Sequence, residues 1–180
     1  MDDIVKKALV KWPNVPDCRG WLGLDARGNW WLRDAQAQAS GNFLQSKGVR
    51  VEHPKLRAFI ERNYEANEQG EWFFQNGPQR VFVELECTPM VWRVDAQGGI
   101  SSHVGHSVQS CGPSCWVDEQ GRLYLLGDRV LGIVHTQDMV HAASQVEAGC
   151  WHVQEVQSMD LPKLFGFVRS PQQAWVEQAQ

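Results

Sequence analysis

Apolar and polar positions alternate along this chain in short stretches, and the stretches are broken by a recurring turn signal. Asp25-Ala-Arg-Gly28-Asn-Trp30 is followed by Asn67-Glu-Gln-Gly70-Glu-Trp72, then Asp95-Ala-Gln-Gly98-Gly-Ile100 and Asp118-Glu-Gln-Gly121-Arg-Leu123. Each has Asp or Asn first, Gly three positions on, and an apolar residue two beyond. The side chain of the first residue can cap a tight turn, and the glycine supplies positive φ. In at least three of the four, apolar runs on both sides predict a β-hairpin with a short loop. A further hairpin is predicted at Leu126-Gly127-Asp128-Arg129, between strands at 123–126 and 130–134. The turns are spaced too irregularly for a solenoid or propeller. They predict one or two antiparallel meander sheets.

Helical periodicity interrupts the strands. Residues 2–11 place Ile4, Val5, Ala8, Leu9 and Trp12 in one stripe, behind Asp2 and Asp3 at the N-terminal end of the dipole. Residues 54–64 open with Pro54 and carry Leu56, Phe59, Ile60 and Tyr64 on one face. A third helix is predicted around 137–148, begun by Thr136 and ended by Gly149. Ser158 and Ser170 read as caps of two short terminal helices, the second with Pro171 at its start. Residues 34–48, rich in Ala, Gln and Gly, read as a partly ordered connection. The resulting class is α+β. The organisation expected is a single globular unit over 1–180, with a division into 1–89 and 90–180 as the alternative.

Composition narrows the function classes. The 17 Lys and Arg are outnumbered by 21 Asp and Glu in 180 residues, for a formal charge of −4. That is the wrong balance for a generic phosphate-binding surface, so nucleic acid is not the expected partner. The opening Met-Asp-Asp is acidic where a secretory signal would be basic, and no apolar run reaches membrane-spanning length. Five scattered cysteines do not form a disulfide framework. A cytoplasmic protein with reduced thiols, no membrane anchor and no cofactor is the expectation. No nucleophile elbow, phosphate-binding glycine loop, dinucleotide fingerprint or His-Glu-x-x-His motif is present.

Nine tryptophans are unusual for this length. Seven fall in predicted strands: Trp21, Trp30, Trp31, Trp72, Trp92, Trp116 and Trp151. Trp30 and Trp31 are adjacent and must point to opposite faces. The ordinary reading is packing on both faces of a sheet. The sharper reading is an aromatic platform for a protein or small ligand, built from Trp30, Trp31, Trp72 and Trp92 with Arg80 and Glu84. In the strand at 80–87, Val81, Val83 and Leu85 alternate with Arg80, Phe82, Glu84 and Glu86. Glu84 and Glu86 share a face at a separation that acid–base chemistry could use. The simpler account is a solvated strand face with Arg80 as a cross-charge. His103, His106, Cys111 and Cys115 bring two imidazoles and two thiolates into a short segment, which is a ligand set zinc accepts. Their spacing departs from the Cys-x2-Cys or Cys-x4-Cys of zinc knuckles, and two ordinary buried cysteines explain the segment as well.

Particular residues carry a family likeness. Trp12-Pro-Asn-Val-Pro16, Cys18, Gly20-Trp-Leu-Gly-Leu-Asp25 and Arg27-Gly28 resemble a family of uncharacterised proteobacterial proteins. So do His53-Pro54-x-Leu56, Phe59-Ile60-x-Arg62-Asn63-Tyr64, and Trp72-Phe-Phe-Gln-Asn-Gly-Pro-Gln-Arg-Val81, with Thr88-Pro89 and Phe165-Gly-Phe-Val-Arg169 before Pro171. The resemblance implies a shared domain-of-unknown-function fold and no particular activity. The order of the Asp-x-x-Gly-x-Trp turns and Thr-Pro is also similar in layout to a second uncharacterised bacterial family of two small domains. The leading functional expectation is a non-catalytic binding or interaction domain using an aromatic sheet face or groove. A hydrolytic or metal-assisted enzyme is the alternative. It requires Glu84, Glu86 and a histidine in one cleft, or the four His and Cys around a point.

Overall fold

A computed structural model of the chain describes residues 1–108 and 111–178. The chain forms two compact units, one of Met1–Asp25, Asn29–Glu86 and Phe167–Gln180, the other of Ala26–Gly28 and Cys87–Gly166. Each holds one six-stranded sheet, and helices accompany both, so the class is α+β.

The first unit starts with α1 (Asp3–Lys11) and continues through β1 (Cys18–Leu24), β2 (Trp30–Leu32), α2 (Ala35–Ala39) and β3 (Val49–Arg50). Then come α3 (Pro54–Arg62), β4 (Tyr64–Ala66), β5 (Trp72–Asn76) and β6 (Gln79–Leu85). The strand order is β3-β2-β1-β6-β5-β4. All its ladders are antiparallel except the central one, where β1 runs parallel to β6. The sheet is mostly antiparallel, as the hairpin turns predict, with one parallel ladder at its centre. The two hairpin systems β1–β2 and β5–β6 are joined through strands distant in sequence, which turn chemistry alone does not announce.

Register assigns the faces of this sheet. Gly23 pairs with both Trp31 and Glu84, and Phe73 with Phe82, so these side chains share one face with Arg80. Trp30, Leu22, Leu24, Phe74, Trp72, Val83 and Leu85 take the other. The second face forms the main core. Ile60 of α3 and Val5 of α1 are buried, and Phe59 meets Phe74 edge to face at 5.3 Å. The sheet curls strongly enough for Trp30 on β2 to meet Tyr64 on β4 at 5.0 Å across three intervening strands. Helices α1 and α3 bury less of their stripes than their periodicity implies. Ile4, Leu56 and Trp12 stay exposed, and Tyr64 belongs to β4.

The first face is covered by the segment 34–48 and the C-terminal helix, α6 (Pro171–Gln178). The segment is better ordered than its composition suggests. Asp34 caps α2 by accepting from Ala37 N at 2.8 Å, and Phe43 is buried where Gly23 leaves no Cβ in its way. Arg33, 1% exposed, donates to the carbonyls of Gly20, Ala37, Gly41 and Ser46 and so ties the segment to β1.

The second unit contains β7 (Met90–Val94), β8 (Ile100–Ser102), β9 (Cys111–Val117), β10 (Leu123–Gly127), β11 (Val130–Val134) and β12 (His152–Glu155), in the order β12-β9-β10-β11-β7-β8. The β11–β7 and β12–β9 pairs are parallel, and the other three are antiparallel. A 3-10 turn (Thr136–Asp138) leads into α4 (Met139–Glu147), and α5 (Leu161–Phe165) follows β12. Trp92, Val94, Cys115, Leu123, Leu125, Val134, Ala142 and Trp151 form its core. The Trp92 indole donates to Leu125 O at 2.9 Å and lies where any Cβ at position 132 would be, so Gly132 makes its room. Ser158 is not a helix cap: its hydroxyl donates to Glu119, and Asp160 precedes α5.

The four Asp/Asn-x-x-Gly turns have one geometry. Each closes an antiparallel hairpin. The side-chain oxygen of Asp25, Asn67, Asp95 and Asp118 accepts the amide four residues on, at 2.8–2.9 Å. Gly28, Gly70, Gly98 and Gly121 all have φ between 75° and 81°. The fifth hairpin, β10–β11, differs: Asp128 and Arg129 take φ of 49° and 69° in a two-residue turn.

Candidate functional site

The predicted aromatic residues separate by sheet and by face. Trp30 is fully buried and Trp72 nearly so, and both pack against Tyr64 in the first unit's core, Trp30 edge to face. Trp92 lies in the core of the second unit. Trp31, on the opposite face from Trp30 as adjacency requires, is half-buried. Its indole donates to Asp25 at 3.0 Å, and Lys47 approaches its ring at 5.8 Å. Arg80 is exposed and lies over Phe73, centroid distance 5.1 Å.

Glu84 is the largest departure from the sequence reading. It is 2% exposed, so the solvated strand face is corrected at this position. β6 is a central strand, and α6 closes over its polar side. Ser170 Oγ donates to Glu84 Oε2 at 2.5 Å, and Gln172 N donates to Oε1 at 3.0 Å. Ser170 Oγ in turn accepts from Gln173 N at 3.2 Å, which is the expected cap of α6. Burial pushes the Glu84 carboxyl above the ordinary glutamate value. The two hydrogen bonds and the charges of Arg33 and Arg19 pull it back without reversing the shift. Glu86 does not join it, because its carboxylate pairs with Lys47 at 2.8 Å.

Two cavities flank α6. The smaller, about 220 Å³, is lined by Asn42, Phe43, Leu44, Glu84, Arg169 and Ser170 among others. The larger, about 420 Å³, lies between the approach to β1 and α6, lined by Pro16, Asp17, Arg19, Gln172, Trp175 and Val176. No histidine lines either among the described residues. Arg19 is held on two sides, by Glu71 at 3.1 Å and by the face of Phe82, 3.7 Å from its centroid. Trp175 is 57% exposed and Val176 is exposed beside it. Sequence reasoning passed over Trp175 because α6 has no strong apolar stripe. The only signal was a Trp-Val pair in a helix of Gln and Glu.

The His and Cys candidates in the second unit make local contacts. His103 Nδ1 accepts from Val91 N, Cys115 is buried in the core and Cys111 donates to Gly112 O. His106 is exposed, with its amide bonded to Ser102 Oγ. No group of three His, Cys, Asp or Glu placed to hold a metal ion occurs among the described residues. The second unit's own groove, about 390 Å³, is lined by Arg93, Asp138 and His141 among others, and Arg93 is spent on a bidentate pair with Asp138. No helix of the described residues is long and apolar enough to cross a membrane.

Residues 1–172 match the model of the family DUF2944, described as a protein of unknown function (DUF2946). The chain belongs to that family. No curated protein matches it by sequence. Two solved structures are similar, both DUF1285 family proteins. The one from Silicibacter pomeroyi is 13% identical with a TM-score of 0.50, covering 80% of this chain and 84% of that one. The one from Shewanella baltica is 15% identical with a TM-score of 0.49, covering 74% and 98%. The first likeness concerns the fold alone.

Proposed function

We propose that the chain is a non-catalytic binding domain that takes a segment of a partner protein in the groove between residues 16–19 and α6. The observation that carries this is Trp175, which stands 57% exposed at the rim of a groove of about 420 Å³. Tryptophan is strongly enriched among residues that dominate protein interfaces, and here it is a rigid aromatic beside an apolar neighbour and polar groups. The sharper sequence expectation, an aromatic groove, is thereby moved from Trp30, Trp72 and Trp92 to α6. Supporting a non-catalytic reading, Ser170 and Glu84 spend their hydrogen bonds on holding the start of α6. Free thiols at Cys18, Cys111, Cys115 and Cys150 support a reducing, cytoplasmic setting. The test is a displayed peptide library selected against the intact protein. Selected peptides should lose binding to Trp175→Ala while the unfolding midpoint of that variant stays at the wild-type value. Peptides that bind the variant equally well would refute the assignment of the groove.

A further inference from the structure

Resting on that reading, we infer that the groove receives a basic side chain, lysine or arginine, of an extended peptide partner, laid over Trp175 and against Asp17. The charges lining the groove decide this. Arg19 is its only cation among the described lining residues, and it is already neutralised by Glu71 and stacked on Phe82. Asp17 is the only carboxylate among the described lining residues; it is exposed, and among the described residues it has no hydrogen-bond or ion-pair partner. A groove with one balanced arginine and one unbalanced aspartate presents net negative charge to an incoming ligand. The exposed indole adds to the same preference, because the face of tryptophan attracts ammonium and guanidinium groups. Gln172 gives its amide hydrogen to Gln38, which fixes the carboxamide at the floor of the groove near Gly20. Pro16 and Val176 supply apolar walls for the aliphatic stem of the side chain. An acidic partner would meet Asp17 with Arg19 already spent.

The test uses the full chain carrying 5-fluorotryptophan, with the Trp175 resonance assigned by its loss in Trp175→Phe. Three capped pentapeptides serve as probes, alike except for arginine, citrulline or glutamate at the centre, with spermidine as a fourth. The arginine peptide should shift the Trp175 resonance saturably. Asp17→Asn should weaken that binding about fivefold, an exposed charge contact being worth about that much, and added salt should weaken it in the same direction. Equal binding of the citrulline or glutamate peptide, or no effect of Asp17→Asn, overturns the basic side chain while leaving the groove as a binding site. Spermidine shifting Trp175 as strongly as the peptide overturns the peptide partner in favour of a free polyamine. Failure of every probe and of every library-selected peptide to move the Trp175 resonance removes the binding reading together with the inference.

Discussion

Glu84 in the first unit and Asp118 in the second are both almost fully buried carboxylates, and their surroundings move them in opposite directions. Burial pushes both up. At Asp118 it is outweighed by four donors: the amides of Gln120 and Arg122, the Arg122 guanidinium at 2.7 Å and the Tyr124 hydroxyl at 2.7 Å. Its carboxyl is held below the ordinary aspartate value. Glu84 has two donors and no directly bonded cation, so burial wins. The difference comes from where each sits. Asp118 opens an Asp-x-x-Gly turn, and the turn itself delivers backbone donors to the side chain. Glu84 stands mid-strand, where no turn delivers backbone donors to the side chain, and its hydrogen bonds come from Ser170 and Gln172 at the start of α6.

The largest effect expected is at Asp118. Asp118→Asn keeps the turn acceptor but sets an amide against the Arg122 guanidinium and removes the charge that balances it. Breaking such a pair should cost about 3 kcal/mol, read as a shift in urea midpoint at neutral pH. The stability due to this carboxylate is present above the ordinary aspartate value of 3.8 and is lost as pH falls through its lower folded value. The gap between wild type and variant should therefore close in strong acid. A gap that stays constant with pH would mean that packing, not charge, holds the turn.

A smaller effect follows from the glycine that shapes the same turn. Gly121 has φ of 75°, and a Cβ there would meet nothing within 4 Å, so conformation alone is at stake. Gly121→Val should cost about 1–3 kcal/mol. Gly121→Asn should cost less, since Asn tolerates the left-handed region. The valine variant should also raise the Asp118 carboxyl, visible by side-chain carbon NMR, as the Gln120 and Arg122 amides move off it. Equal losses for Val and Asn would contradict the φ argument.

These positions show what was legible in the sequence. The turns could be read because an Asp or Asn and a Gly three residues on contain the whole device, acceptor and backbone together. Trp30 and Trp31 on opposite faces followed from adjacency in a strand. The parallel β1–β6 ladder could not be read, since it joins residues 18–24 to 81–85 and no local signal sets that pairing. The burial of Arg33 has no local signal in the sequence, because its acceptors are carbonyls spread over residues 20 to 46. Glu84 looked solvated because the lid over it, Ser170 to Gln172, lies 86 to 88 residues further along. The candidate groove was illegible for the same reason: Pro16 to Arg19 and Trp175 are near only after the chain has returned from its second unit.

The smallest effect expected is also the sharpest check on the comparison. Glu84→Gln is isosteric. Its carbonyl oxygen can take Gln172 N, and its amide can donate to Ser170 Oγ, whose hydroxyl is free to turn. The substitution removes a charge that burial disfavours. Because the folded value is raised, the contribution of Glu84 to stability is greatest below the ordinary glutamate value of 4.5, where the carboxyl is neutral folded or unfolded. It declines as pH climbs through the raised folded value. Glu84→Gln should accordingly match wild type near pH 4 and be equal or more stable at pH 7, by no more than about 1 kcal/mol. That trend is opposite in sign to the one at Asp118, whose variant loses most at neutral pH. Urea unfolding of both variants at the two pH values measures it directly. A loss at Glu84 as large as the one at Asp118 would show that Ser170 and Gln172 satisfy this carboxylate as fully as the turn satisfies the other. The contrast between mid-strand and turn positions would then fail.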